Sequence, residues 1–255
     1  MDETLVSKEM KEIVGKIMRK SISFPITSSD IRKWAIAVYY PKVPPRIYWD
    51  EEYASNTIFG GIVAPEEFNP FAWATQTPSL KDPRISQTAF SELELGVNPP
   101  KYSAFILTEI KTSYGNKRMF PGDVIKSEHK ISDYFERKGA RGHMLYTTIK
   151  NIFKNQNDEF IKSVDSVFVR YWTKSEGFKL KLKNMDVGDL IPSFSREGKV
   201  EYWNRYAAVN DEFADHHWSD EVAQNEGFEK AFAMAPLEQA YICLLYTSPS
   251  PRDLR

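Results

Sequence analysis

Asp211, Asp215, His216, His217 and Asp220 crowd one polar loop within YAAVNDEFADHHWSDEVAQNEGFEKAFAMAPLEQAY, residues 206–241. Two of the four histidines of the chain lie there. Histidine changes protonation near neutral pH, and a carboxylate close by gives it a proton partner, so these residue types suit general acid–base transfer. Taken singly, each has a plainer reading: an Asp in a turn as an Asx-turn or helix cap, a lone His as a satisfied polar group. Metal binding is a further option. Adjacent histidines in an extended loop point in different directions, however, and no other His or Cys cluster completes a site, so no metal is expected.

The loop joins two helix-like segments, and the rest of the chain must hold them in place. With 42% hydrophobic and 14% aromatic residues the sequence is globular, and its 255 residues allow two domains. The net charge is -1, from 34 basic and 35 acidic side chains, with no long Lys/Arg run, so nucleic acid is not an expected partner. The charged N-terminus lacks the apolar core of a secretory signal, and no run approaches the roughly 20 apolar residues of a membrane span. A cytoplasmic protein without membrane contact is expected. One cysteine, Cys243, leaves no internal disulfide framework.

Residues 2–14 read as a helix. A second follows the cap candidates Ser28, Ser29 and Asp30 and runs through Ile31, Trp34, Ala35 and Val38 until the Pro41–Pro45 loop. After GGIVAP an apolar helix carrying Phe68, Phe71, Trp73 and Ala74 is predicted and should be buried. From Tyr102 four β-rich runs follow, YSAFILTEIKTSYG, GDVIKSEHKISDYFERKG, HMLYTTIKNIFKNQ and EFIKSVDSVFVRYW, with NQND as a hairpin turn. Successive hairpins would give an antiparallel sheet wrapped around the apolar helix, an α+β arrangement. KSEGFKLKLKNM, with Lys174, Lys179, Lys181 and Lys183, reads as a linker with a solvated basic face. A phosphate-attracting patch is the functional alternative.

The chain also repeats. Placing YWDEEYASNTIF (48–59) over HWSDEVAQNEGF (217–228) pairs Trp49 with Trp218, Glu52 with Glu221, Ala54 with Ala223, Asn56 with Asn225 and Phe59 with Phe228. With a two-residue gap, Ala64 and Pro65 pair with Ala235 and Pro236. The sequence therefore reads as two copies of one unit. Tyr48 stands opposite His217, and Tyr39, Tyr40 and Pro41 stand near the place of Asp211, so the first copy has no proton-transfer pair.

These residues resemble the MaoC-like dehydratases and (R)-specific enoyl-CoA hydratases of the hot-dog fold in their two-module form. The likeness runs over residues 9–242. Gly-Gly-Ile-Val-Ala-Pro at 60–65 and Pro-Gly-Asp at 121–123 resemble a FAS1-like dehydratase module, and the acid–histidine loop resembles the start of a hydratase module. The resemblance implies a non-catalytic N-terminal hot-dog module at 1–173, a linker at 174–186 and a truncated MaoC-like module at 187–242. It implies reversible hydration of trans-2-enoyl thioesters by a water activated between Asp211 and His217, with His216 as runner-up. The Ala235 backbone N–H would hold the thioester oxygen at a helix start. No cofactor is implied. The substrate would be an acyl thioester of coenzyme A or acyl carrier protein, and a homodimer or pseudo-dimer of modules is the implied assembly. A non-catalytic acyl-thioester-binding or heteromer-forming module and a hot-dog thioesterase stay open as alternatives.

From Cys243 the tail CLLYTSPSPRD resembles a translated transposase-type sequencing adapter, so residues 243–255 are expected to be an artefact. The helix of the second copy would then lack its sheet, and the chain is expected to be inactive.

Overall fold

The computed structural model describes residues 4–72, 91–100, 102, 104–139, 142–171, 198–210 and 212–247. Five strands form one antiparallel sheet: β1 (Ile17–Ile22), β2 (Ala104–Tyr114), β3 (Lys126–Gly139), β4 (Gly142–Lys154) and β5 (Phe160–Tyr171), in the order β1-β3-β4-β5-β2. The last four fall on the four expected runs. Along β4, Leu145, Thr147 and Ile149 are buried at every second position, which is the pleat put to use. The NQND turn closes β4 onto β5 as expected. Asn155 Oδ1 accepts from the Asn157 and Glu159 amides, each at 3.0 Å, and Asp158 takes the left-handed conformation at φ 61.

Two features of the sheet differ from expectation. β2 makes no hairpin with β3 but pairs with β5 on the far edge. The Pro121–Asp123 turn explains this: Gly122 N–H donates to Ile26 O at 2.8 Å and Ile26 N–H to Asp123 O at 2.9 Å, which aims the chain into β3 beside β1. β1 itself was not expected. Its residues alternate between exposed and half-buried without a clean apolar face, as suits a strand on the sheet edge.

Helix α1 (Lys8–Glu12) lies within the predicted 2–14 segment. α2 (Ser28–Tyr39) starts with Thr27 as its cap, one residue before the expected set. Thr27 Oγ1 accepts from the Asp30 amide at 3.1 Å, and Asp30 Oδ2 accepts from the Thr27 amide at 3.2 Å. Ile31, Trp34, Ala35 and Val38 are its buried stripe. α3 (Glu51–Ser55) follows. Of the apolar helix expected after Pro65, the part up to residue 72 is not helical. Residues 61–72 are turns and irregular chain, with Trp73 and Ala74 outside the described residues. The backbone there has other partners: the Ala64 amide donates to Met119 O at 2.8 Å, and Arg118 Nη2 donates to Ala64 O at 2.9 Å. Those bonds hold Ala64 against the approach to β3.

α4 (Val200–Asn210), α5 (Asp220–Asn225) and α6 (Ala235–Thr247) complete the chain. The predicted linker lies outside the described residues. α4 packs antiparallel on α2, with the Trp34 and Tyr206 rings edge-on at 6.4 Å and Trp34 Nε1–H donating to Asn210 Oδ1 at 3.2 Å. Tyr40 meets Tyr202, and the Arg205 guanidinium lies 3.9 Å above the Tyr40 ring. Met234, Leu237 and Ala240 join Ile31, Trp34, Ile125, Phe153 and Ile161 in one core at the end of the sheet. Burying a side chain such as Leu237 stabilises by roughly 1.5–3 kcal/mol. Gln239 Nε2 then donates to Thr112 Oγ1 at 2.7 Å, tying α6 to β2.

Elsewhere on the sheet Arg170 and Glu92 form a buried pair at 2.5 Å, with the Tyr134 hydroxyl donating to Glu92 at 2.9 Å and Arg170 to Thr147 Oγ1 at 2.7 Å. An ion pair this dry is costly to break from one side.

Candidate active site

The acid–histidine loop is built on a backbone frame that the chain uses twice. Five hydrogen bonds around Tyr48 recur 169 residues later around His217. Tyr48 N–H to Pro45 O matches His217 N–H to Ala214 O, both 3.1 Å, and Trp49 to Arg46 matches Trp218 to Asp215, both 3.1 Å. Asp50 to Arg46 at 2.8 Å matches Ser219 to Asp215 at 2.9 Å. Ala54 to Asp50 at 2.9 Å matches Ala223 to Ser219 at 3.0 Å, and Thr57 to Ala54 matches Glu226 to Ala223, both 3.1 Å. Each copy is a single 3-10 turn, Arg46–Tyr48 or Asp215–His217, followed by a short helix capped by a side chain, Asp50 for α3 and Ser219 for α5. The tryptophan reaches five residues back in both: Trp49 Nε1–H to Pro44 O at 2.9 Å, Trp218 onto the Phe213 ring at 5.6 Å. This register carries upstream without a gap, so Lys42 and Val43, rather than Tyr39–Pro41, stand opposite Asp211 and Glu212.

His217 is 6% exposed. Its Nδ1 lies 2.8 Å from Phe232 O, and because a carbonyl can only accept, the proton sits on Nδ1 and the lone pair on Nε2. Burial, with the neighbouring His216 charge adding to it, pushes the imidazole down to about 4. His217 is therefore neutral at physiological pH and is an acceptor through Nε2. His216 stacks on Phe232 at 5.1 Å, and its Nδ1 is 3.0 Å from Glu226 Oε2. The two rings meet edge-on at 4.2 Å. The preferred histidine is thus buried with a fixed tautomer, and the runner-up is engaged with a carboxylate.

Asp211 lies outside the described residues. Asp215 is exposed, and Asp220 Oδ1 accepts from the Ala231 amide at 2.8 Å, closing the loop before α6. Ala235 is the first residue of α6, where N–H groups have no intrahelical acceptor. Its counterpart Ala64 donates to Met119 O. Among the described residues no three His, Cys, Asp or Glu side chains gather as a metal site, and no helix is long and apolar enough to cross a membrane.

Glu212 was missed at the level of sequence. It follows α4, and its amide donates to Ala207 O at 3.2 Å, which closes the last turn of the helix. Burial raises its carboxyl to about 7, against the opposing pull of His216. Its charge in turn helps to raise the buried Tyr206 phenol, after desolvation itself. The available signal was its spacing of five residues before His217, directly after an apolar turn of helix.

Residues 12–164 match the family model described as FAS1-like, dehydratase domain region. Among solved structures the chain is similar to a MaoC-like dehydratase at 14% identity, over 92% of this chain and 78% of that one, with a TM-score of 0.63. It is similar to a MaoC-like dehydratase from Phytophthora capsici at 12% identity, over 93% and 77%, with a TM-score of 0.57. HtdX of Mycobacterium tuberculosis gives 14% identity, 92% and 79%, and a TM-score of 0.55. A search of curated proteins finds no match to the sequence. The fold is the α+β hot-dog fold expected from the sequence.

Proposed function

The chain belongs to the FAS1-like dehydratase-region family, and on that premise we propose that it hydrates trans-2-enoyl thioesters and, in reverse, dehydrates (R)-3-hydroxyacyl thioesters. The observation that carries this is His217: buried, neutral, with Nδ1–H held by Phe232 O at 2.8 Å and Nε2 left as a base. In hydration the water oxygen bonds to C3 while its proton passes to Nε2. The C2=C3 electrons move toward the thioester carbonyl, and C2 then takes a proton. The developing enolate oxygen would be held by the Ala235 N–H at the positive end of α6. Asp211 is the acid partner that the family resemblance implies. The first unit, residues 1–173, would pack against and shape the second, 187–242. The substrate would be carried by coenzyme A or acyl carrier protein, with the two units forming a pseudo-dimer.

The test is turnover of a trans-2-enoyl-CoA followed by loss of enoyl absorbance, with free thiol measured in parallel. Wild-type hydration that drops by about 100-fold or more in His217→Ala is expected. Equal rates in both proteins would sink the assignment, and thiol release in place of hydration would make the protein a thioesterase.

A further inference from the structure

We infer that His216 and Glu226 are positioning residues for His217: Glu226 holds the His216 ring, and that ring holds Phe232, whose carbonyl keeps the His217 proton on Nδ1. The inference rests on the hydratase reading above and deepens it, because it names what keeps the base of that reading in its accepting form. Neither residue is asked to carry a proton.

Phe232 needs such support. It lies in the irregular chain between α5 and α6, where no helix or strand ladder orients its carbonyl. Side chains hold that stretch instead. Gln224 Nε2 donates to Glu229 O at 3.2 Å, Asp220 Oδ1 accepts from the Ala231 amide at 2.8 Å, and His217 Nδ1–H donates to Phe232 O at 2.8 Å. Three rings pack on the Phe232 ring: Phe228 at 4.3 Å between centroids, His216 at 5.1 Å and within 3° of parallel, and His217 edge-on at 5.2 Å. The parallel contact with His216 is lost when either ring tilts, so it fixes the plane of Phe232 as well as its place.

His216 is fixed in turn. Its Nδ1 lies 3.0 Å from Glu226 Oε2, and a carboxylate on one ring nitrogen sets the orientation of an imidazole. Glu226 is the residue that ends α5, with its amide donating to Ala223 O at 3.1 Å. A chain of contacts therefore runs from a helix end through Glu226, His216 and Phe232 to the His217 proton.

The first unit lacks every link. In the register that sets Tyr48 opposite His217, Ile47 stands opposite His216 and Thr57 opposite Glu226. Ile47 is buried, and Thr57 Oγ1 donates within its own turn to Ala54 O at 2.7 Å. An aliphatic residue thus suffices for packing in this frame. The half-buried histidine–carboxylate pair, which gives up water to form, occurs only in the copy whose next residue is an imidazole that must hold one tautomer.

The experiment uses the full chain and the double variant His216→Ile/Glu226→Thr, which gives the second frame the residues that the first already folds with. Thermal melts check the fold. With a trans-2-enoyl-CoA the double variant is expected to lose about 10-fold or more in kcat with KM within about threefold of wild type, as a misplaced base does. Ring 15N spectra at neutral pH, with the His217 signals taken as those missing from His217→Ala, should show its proton on Nδ1 alone in the wild type and on both nitrogens in the double variant. His216→Phe, which keeps a flat ring against Phe232, should recover most of the turnover and keep the proton on Nδ1. Wild-type kcat in the double variant overturns the inference. So does a loss of turnover with the proton still on Nδ1 alone, which would mean a merely structural role, and so does a His216→Phe no better than the double variant. A wild type without hydration overturns the hydratase reading instead, and the 15N spectra then decide the positioning role by themselves: a proton on Nδ1 alone in the double variant ends it.

Discussion

The segments 43–57 and 212–226 have the same backbone and different chemistry. Both fold as a 3-10 turn leading into a capped short helix, with five matching hydrogen bonds. Tyr48 is 3% exposed and His217 6%, while Ala54 and Ala223 are both fully buried. What separates them is what fills the frame. The first copy puts a phenol and an aliphatic residue where the second puts an imidazole and a carboxyl. It also binds the Ala64 amide to Met119 O, so the donor corresponding to Ala235 is consumed internally. A hydrogen-bonded frame tolerates such exchanges because its bonds are made by the main chain, which leaves the side chains free to differ between the copies.

The sharpest way to break this comparison is to convert the second copy into the first. His217→Tyr should fold, since the frame already accepts a tyrosine, and should lower hydration by about 10^2–10^4-fold. The reciprocal Tyr48→His should confer no second site in a His217→Tyr background. Restored turnover in that double variant would show that the two frames are functionally interchangeable.

A stability pair comes next. Tyr48→Ala removes a buried ring from the main core and should cost about 3–5 kcal/mol, whereas His217→Ala should cost about 1–3 kcal/mol through the lost bond to Phe232 and a smaller cavity. Chemical denaturation measures both, and equal losses would mean the two positions play the same structural role.

The pH dependence sharpens the contrast further. Glu212 is raised from 4.5 to about 7, so its contribution to stability is fully present below 4.5 and lost as pH rises through 7. His217 is lowered from 6.5 to about 4, so the neutral native form is favoured above 6.5 and stability is lost as pH falls toward 4. Between about 4.5 and 6.5 the two slopes oppose each other. Glu212→Gln should leave a stability that rises with pH over this window, and His217→Phe one that falls, each by about 1–3 kcal/mol. Parallel profiles in the two variants would contradict the burial of one group or the other.

The smallest effect belongs to the caps. Asp50→Ala and Ser219→Ala should each cost about 1 kcal/mol, because each side chain accepts one first-turn amide, from Tyr53 at 3.0 Å or Val222 at 3.3 Å. The losses should add in the double variant, as they do for separated sites.

Much of this was legible in the residues themselves. Strong alternation located β2 to β5, turn chemistry located the Asn155–Glu159 hairpin, and the repeat singled out His217 through its pairing with Tyr48. β1 was not legible because an edge strand needs no apolar face. Residues 65–72 are turns and irregular chain although their apolar run reads as a helix, because an apolar run alone does not tell the two apart, and the rest of that expected helix lies outside the described residues.

The sequence by itself determined the fold class and the repeated frame around Tyr48 and His217, because periodicity and repeated spacing are properties of neighbours along the chain. Only the tertiary structure decided that β2 lies at the far edge, that His217 carries its proton on Nδ1, and that Glu212 is withdrawn from water. The first two depend on which distant groups close over a residue: Ile26 on the Pro121–Asp123 turn and Phe232 on the imidazole. A glutamate in a polar loop reads as solvated until the fold shows that it is half-buried.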